Sequence, residues 1–362
     1  MERVLEIGIV GLPLVGKTTL FNLLTGAKAP TGPGSEPRVR RGSAPVPDSR
    51  LDFLASLYQP RKVTPARIDF KDIPGLDPRQ GEKEARIRFL EEVRSADALC
   101  FVVRAFNHPD LPFYFEKMSP TEEFREILAE LWLADYSLVE KRLERLREGK
   151  KARRDKEVEV QLLERCREIL EQEELLQKLT LSPEEGPIFA NYGFLTVKPI
   201  ILAVNVDERG LKEGYEGKEE LLREANARGI PLVEVAAQIE KEIASLPPEE
   251  QELFMTDLGL TEPGIARLAR AAYRSLGLIS FFTVGEDEVR AWPIREGTTA
   301  REAAGKVHSD IERGFIRAEV FNFEDLKRLG SPAKVREAGL LRLEGKDYRV
   351  RDGDVIYFRF KV

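Results

Sequence analysis

The chain is poor in the residues that build disulfide frameworks and soft-metal sites. Its 362 residues include two cysteines, two histidines and three methionines. Two cysteines cannot staple a fold of this size, and Cys100 sits in an apolar run where a buried thiol is expected. His108 and His308 alone exclude a His-rich metal centre. There is no run of about 18 or more uncharged apolar residues, so nothing reads as a membrane span. The first six residues lack the apolar stretch of a secretory signal, and Gly11 and Pro13 turn the chain soon after. A cytoplasmic protein is expected. A large charge of one sign is missing too. The 57 Lys and Arg against 63 Asp and Glu leave −6, which excludes a wholly basic nucleic-acid coat.

What is present is enough apolar sequence for real cores: 42% hydrophobic residues in a length that suits two or three domains. Apolar, β-rich runs at residues 7–10, 68–73, 98–103, 200–204 and 232–235 alternate with helical stretches. That pattern predicts an α/β fold, a mostly parallel sheet covered on both faces. From residue 119 to about 179 the strand signal stops. Leu131, Leu138, Val139, Leu143 and Leu146 recur at helical spacing, as do Leu162, Cys166, Ile169 and Leu176, with Gly149 between the two sets. Two long antiparallel helices are predicted, a hairpin inserted into the α/β domain. At about 1.5 Å per residue it would reach about 40 Å.

The hairpin's charge is uneven. Residues 141–156 hold nine Lys and Arg against three acids, and residues 157–174 hold seven Glu against two Arg. Solvated helix faces account for most of this pattern. The cluster Lys150-Lys151-Ala152-Arg153-Arg154, at the predicted tip, stands where a ribosome or ribosomal RNA would reach it. After Gly277 the character changes. Residues 281–284 and 289–294 read as a hairpin around Gly285-Glu286-Asp287. Thr299-Ala-Arg-Glu302 is a capping box opening a helix to about Phe315. Short strands follow at 318–321, 340–343, 348–350 and 355–360, the pattern of a ubiquitin-like β-grasp module. The expected division is a split nucleotide domain (1–118 and 196–278), an inserted hairpin (119–195) and the β-grasp (279–362).

Chemistry enters with Gly11-Leu-Pro-Leu-Val-Gly16-Lys17-Thr18, which fits G-x-x-x-x-G-K-[ST] between a strand and a helix. Backbone N–H groups of residues 11–19, with Leu14, Val15, Gly16, Lys17, Thr18 and Thr19 among them, would wrap the phosphates at the helix N-terminus. Lys17 would reach the β/γ-phosphate oxygens and the Thr18 hydroxyl would ligate Mg2+. Asp72-Ile-Pro-Gly75 is a D-x-x-G element at another strand end. Asp72 would hold Mg2+ through its water shell, and the Gly75 N–H would sense the γ-phosphate. Leu76 follows, where Ras-like proteins carry a water-orienting Gln. Leucine makes no hydrogen bond, so turnover without a partner should be slow.

Guanine-specific proteins carry N-K-x-D after a strand; this chain has Asn205-Val206-Asp207-Glu208. Val206 replaces the lysine, and Glu208 pushes its carboxylate a methylene too far forward for guanine. The preference should therefore relax or shift toward adenine, with Asn205 still reaching the purine and Ala237 lining the base pocket. The expected activity is Mg2+-dependent hydrolysis of ATP. Two alternatives remain: a GTPase, and a nucleotide-gated ribosome-binding factor whose hydrolysis is incidental.

The motifs resemble the Obg-like ATPase (YchF) family of translation-factor-class P-loop proteins. The matching residues are Gly11-Leu-Pro-x-Val-Gly-Lys-x-Thr-Leu-Phe-Asn22, Val46-Pro-Asp-x-Arg-Leu-Asp52, Asn205-x-x-Glu208 and Phe254-Met-x-x-Leu-Gly-Leu-x-Glu-Pro-Gly264. Further on come Val289-Arg-Ala-Trp292, Ala303-Ala-Gly-Lys-x-His308, Gly314-Phe-Ile-Arg-Ala318, Glu344-Gly-Lys-Asp-Tyr348 and Asp352-Gly-Asp-Val355. The resemblance covers the whole chain. It implies a G domain, a coiled-coil arm, a C-terminal TGS domain, ATP preferred over GTP, and ribosome association by a monomer. Several positions depart from the family pattern. Gly34-Ser35-Glu36-Pro37 stands where switch I usually carries a Thr, and Leu14 where the phosphate loop carries an Asn. Switch II is shortened around Asp77-Pro-Arg-Gln80. The family's mobile-loop His aligns nearer Phe113 than His108, so His108 is expected to be a loop residue and His308 a structural or partner-contact residue.

Overall fold

The computed structural model describes residues 5–32, 34, 36, 38–76, 83–107, 118–148 and 154–361. Among them the strands are β1 (Glu6–Val10), β2 (Arg40–Pro45), β3 (Lys62–Thr64), β4 (Arg67–Asp72), β5 (Ala98–Ala105), β6 (Ile200–Val206), β7 (Leu232–Val235), β8 (Leu278–Thr283), β9 (Glu288–Arg295), β10 (Phe315–Asn322), β11 (Arg342–Glu344) and β12 (Asp354–Phe360). The chain divides into two compact units, one running to Gly42 and through Asp69–Ala271, the other comprising Ser43–Ile68 and Ala272–Val362.

The first unit is built on a sheet of order β2-β4-β1-β5-β6-β7. β1 lies parallel to both β4 and β5, and β6 lies parallel to β5 and β7. Central strands β5 and β6 are buried almost end to end, which explains why they read as unbroken apolar runs. All the strands of these pairs run the same way, so their C-terminal ends open on one edge, where ligand loops gather in such sheets. Strand β2, Arg-Arg-Gly-Ser-Ala-Pro, was not anticipated: a polar edge strand carries no apolar signature.

Helix Pro120–Glu148 and helix Arg154–Glu171 form the hairpin in the first unit. Val139, Leu143 and Leu146 on one helix and Leu162, Leu163, Cys166 and Leu170 on the other belong to one buried cluster. Ion pairs Arg142–Glu159 and Arg147–Glu164 cross between them. At the hairpin's base, buried Asp135 accepts from the backbone N–H groups of Leu195 (2.9 Å) and Thr196 (2.8 Å) and from the Thr196 hydroxyl (2.8 Å). One carboxylate thus pins the chain as it returns toward β6. The predicted tip residues Lys150, Lys151 and Arg153 lie outside the described residues.

The second unit carries a sheet of order β11-β10-β12-β8-β9-β3. β8 and β9 make the expected antiparallel hairpin, and β10 pairs antiparallel with β11 and β12. Sequence reasoning assigned residues 43–68 to the nucleotide domain, but they group here instead. β3 runs parallel to β9, with Val63 opposite Val289, and Arg50 on helix Ser49–Tyr58 pairs with both Asp48 and Asp352. Such pairings join residues far apart in sequence and leave no local trace. Two further corrections concern the C-terminal part. The capping box at Thr299 and Glu302 is present, yet its helix ends at Val307. His308 is extended and caps a second short helix, Ser309–Arg313. The strand expected at 348–350 is a single bridge between Arg349 and Thr299. Helices Phe323–Leu329 and Pro332–Glu337 were not anticipated. No helix among the described residues is long and apolar enough to cross a membrane.

Candidate functional site

The loop between β1 and helix Lys17–Thr25 is the phosphate-binding motif. Gly16 caps that helix with φ 100°, a left-handed backbone that L side chains avoid, and a Cβ there would collide with the Asn205 amide. No side chain caps the helix, so its first N–H groups are left for an anion. Gly11 and Val15 are buried, while Leu14, Thr18 and Thr19 are partly exposed. Leu14 itself has φ 64°.

Lys17 is only 7% exposed, and its Nζ donates to the Leu12 carbonyl at 2.7 Å. Burial lowers its pKa to about 8, opposed by the charges of Asp72 and Glu123. The Thr18 hydroxyl donates to Asp72 Oδ2 at 2.8 Å, so the two residues expected on the metal side lie in contact. Burial pushes the Asp72 carboxyl up, against the pull of the Thr18 hydrogen bond, Lys17 and Arg40. Among the described residues no group of three or more His, Cys, Asp or Glu could hold a metal by itself. A hydroxyl and a carboxylate side by side do fit Mg2+, which takes few protein oxygens and completes its shell with phosphates and water. Gly75 closes the site. A Cβ there would lie 2.8 Å from Lys17 Nζ and 2.8 Å from the Pro13 backbone nitrogen, so only glycine admits this approach. Leu76 is buried in the apolar core, where it offers nothing to a water molecule.

Asn205, predicted to reach the purine, uses both ends of its amide on the protein. Nδ2 donates to the Val15 carbonyl at 3.0 Å, and Oδ1 accepts from the Ala237 N–H at 3.2 Å. Val206 is buried in the core. Glu208 opens helix Glu208–Glu213, 61% exposed at its side chain and paired with Lys212 at 2.8 Å. Asp207 between them caps that helix through Gly210 and also accepts from the Asn107 N–H. The geometry thus brings the loop, Lys17, Thr18, Asp72, Gly75, Asn205 and Ala237 together, and leaves Val206 and Glu208 out of that network. His108, Phe113, Ser35, Pro37 and residues 77–82 lie outside the described residues. His308 belongs to the second unit, where its Nδ1 accepts from the Asp310 N–H.

Two residues of the site escaped sequence reasoning. Arg40, on β2, donates to Asp72 Oδ2 at 3.2 Å. Glu123, in the first turn of helix Pro120–Glu148, is buried and accepts from the Arg104 N–H at 2.7 Å. Burial raises its pKa to about 7, against Arg104 and Lys17. Arg104 in turn sits opposite Asn205 in the β5–β6 register. A signal for Glu123 existed. Ser119 and Glu122 already form a capping box, so the adjacent acid had no capping role left to fill.

A parallel sheet with this loop after its first strand, and D-x-x-G at the end of the neighbouring one, defines a P-loop NTPase domain of the GTPase type. The family model described as "50S ribosome-binding GTPase" matches residues 6–141, and a YchF C-terminal model described as a protein of unknown function matches 278–361. A Bacillus subtilis protein named Ribosome-binding ATPase YchF is 40% identical over 99% of this chain and 100% of its own length. A Haemophilus influenzae protein of the same name is 42% identical over 98% and 99%. The solved structure of the Schizosaccharomyces pombe YchF GTPase superposes with a TM-score of 0.84 at 29% identity, covering 99% of this chain and 98% of that one. The chain belongs to the YchF family, as its motifs implied.

Proposed function

We propose that this protein hydrolyses ATP, in preference to GTP, to ADP and phosphate, slowly when unaided, and that it works on the ribosome. The observation that carries the reading is the meeting of Lys17, Thr18 and Asp72 at the phosphate loop. The full-length relatives named Ribosome-binding ATPase YchF support it. In this reading the N–H groups of residues 11–19 and the Lys17 ammonium neutralise the phosphates. Thr18 and Asp72 would hold Mg2+, which supplies charge on the β- and γ-phosphate oxygens. Gly75 would answer the γ-phosphate, and Asn205 would brace the loop while the Ala237 backbone borders the base. The basic cluster Lys150, Lys151, Arg153 and Arg154 and the C-terminal module would meet the ribosome.

Buried Leu76 favours a second version, in which nucleotide binding gates the ribosome contact and hydrolysis is incidental. Calorimetric titration of ATP, ADP, GTP and GDP tests the base preference; GTP tighter than ATP by about tenfold or more would reverse it. Single-turnover hydrolysis with and without ribosomes separates the two versions. A rate at background in both conditions leaves only the gated binder.

A further inference from the structure

Asp72 Oδ2 serves two donors at once. One is the Thr18 hydroxyl at 2.8 Å; the other is Arg40 NH1 at 3.2 Å. The carboxylate is nearly shut off from solvent, with 3% side-chain exposure against 21% for Arg40. The same guanidinium folds back on its own segment, donating to the carbonyls of Arg38 and Glu36, both at 3.4 Å. Arg40 therefore ties the Glu36 and Arg38 carbonyls to the carboxylate expected on the metal side.

A guanidinium and the water shell of a divalent cation seek the same oxygen, and two cations beside one carboxylate repel each other. A buried charge-assisted hydrogen bond is also stronger than an exposed pair, so displacing Arg40 has a real cost. We propose that Arg40 is a further residue of the nucleotide site, a built-in cation that competes with the divalent metal for Asp72. The inference rests on the nucleotide reading of the site. Mg2+ arriving with a nucleotide displaces Arg40 from Asp72, and with it the hold on the Glu36 and Arg38 carbonyls. The metal requirement and the hold on those two carbonyls are then linked through one side chain. Nothing comparable holds Arg41 there: its Nε pairs with Glu6 at 2.8 Å instead.

The test uses the full chain and a fluorescent ADP, titrated with Mg2+ from an EDTA-treated start. Wild type, Arg40→Gln, Arg40→Lys and the control Arg41→Gln are compared after thermal melting shows each folded. Removing the competitor should lower the Mg2+ midpoint for tight binding by about three- to tenfold in Arg40→Gln, as expected for one partly buried charge-assisted bond. Arg40→Lys, which keeps the charge without the fork, should fall between, and Arg41→Gln should match wild type. Unchanged midpoints in both Arg40 variants overturn the proposal. So does weaker ADP binding in EDTA with an unshifted midpoint, which would make Arg40 a phosphate ligand. An equal shift in Arg41→Gln would reduce the effect to general charge and also overturn it. Failure of wild type to bind ADP at any Mg2+ concentration would instead remove the nucleotide reading beneath it.

Discussion

Asn205 and Val15 are 190 positions apart and joined by one buried hydrogen bond, the amide of the first donating to the carbonyl of the second at 3.0 Å. The end of β6 thereby holds the crown of the phosphate loop, and the other end of the same amide holds the start of helix Ala237–Ala244. The loop is a stretch of backbone with few side-chain contacts of its own, so its shape depends on such braces. Asn205→Ala leaves a buried carbonyl and a buried N–H without partners, at about 1–3 kcal/mol each. Nucleotide affinity is expected to fall by about tenfold or more for ATP and ADP alike. Calorimetry reads the affinity, and denaturant unfolding reads the stability. Unchanged affinity in a folded variant would show that the brace is dispensable.

Lys17 gives the site a pH limit. Burial holds its pKa near 8, so the ammonium that faces the phosphates is already losing its proton in mildly alkaline solution. Phosphate binding favours the charged form. Above about pH 8, binding must therefore take up a proton, and affinity should fall by up to about tenfold per pH unit. Lys17→Ala should bind weakly at every pH and lose this slope. Titrations between pH 7 and pH 9.5 decide it; a flat profile for the wild type contradicts the assignment.

Much of this site was legible because its residues sit in local patterns. Lys17 and Thr18 follow a glycine motif between a strand and a helix, and Asp72 ends an apolar run, so position in the chain forecast position in space. Arg40 was hidden in an arginine-rich polar stretch, and its partner lies 32 residues away on a neighbouring strand. Asn205 was recognised at its strand end, while its bonds to Val15 and Ala237 left no trace in the sequence. A motif says which residue stands at the strand end, whereas the direction of an amide depends on where Val15 and Ala237 come to rest. The allegiance of residues 43–68 was hidden for the same reason, since β3 joins β9 across more than two hundred residues. Arg50 and Asp352 lie in two of the family motifs, and their pairing gives both motifs a structural use.

Glu123 marks where the long hairpin helix enters the site, and its titration predicts a stability profile. Its folded pKa, about 7, is raised above the ordinary 4.5, chiefly by burial. Between those values the folded protein holds a proton that the unfolded chain gives up. Its contribution to stability is therefore fully present below about pH 4.5 and is lost as pH rises through about 7. Glu123→Gln keeps an acceptor for the Arg104 N–H and removes the titration. The variant should gain on the wild type by something on the order of 2 kcal/mol as pH rises from 4.5 to 8. Denaturant midpoints at several pH values measure the difference, and parallel curves would show that Glu123 titrates normally.

Leu14 carries strain in the loop itself. At φ 64° its Cβ crowds the following carbonyl, a conformation that glycine and, to a lesser degree, asparagine accept. A leucine held there costs about 1–2 kcal/mol. It is only partly buried, so little packing repays that cost. Leu14→Asn is expected to raise stability by about 0.5–1 kcal/mol, and Leu14→Gly by less, because glycine loosens the unfolded chain. Leu14→Ala retains the Cβ and should give no gain. This three-way comparison separates backbone strain from lost side-chain contact. If all three variants lose stability together, the side chain's packing outweighs the strain. If asparagine and, by less, glycine gain while alanine does not, the loop holds a left-handed turn that its own residue opposes, and the brace from Asn205 to Val15 is part of what holds that turn in place.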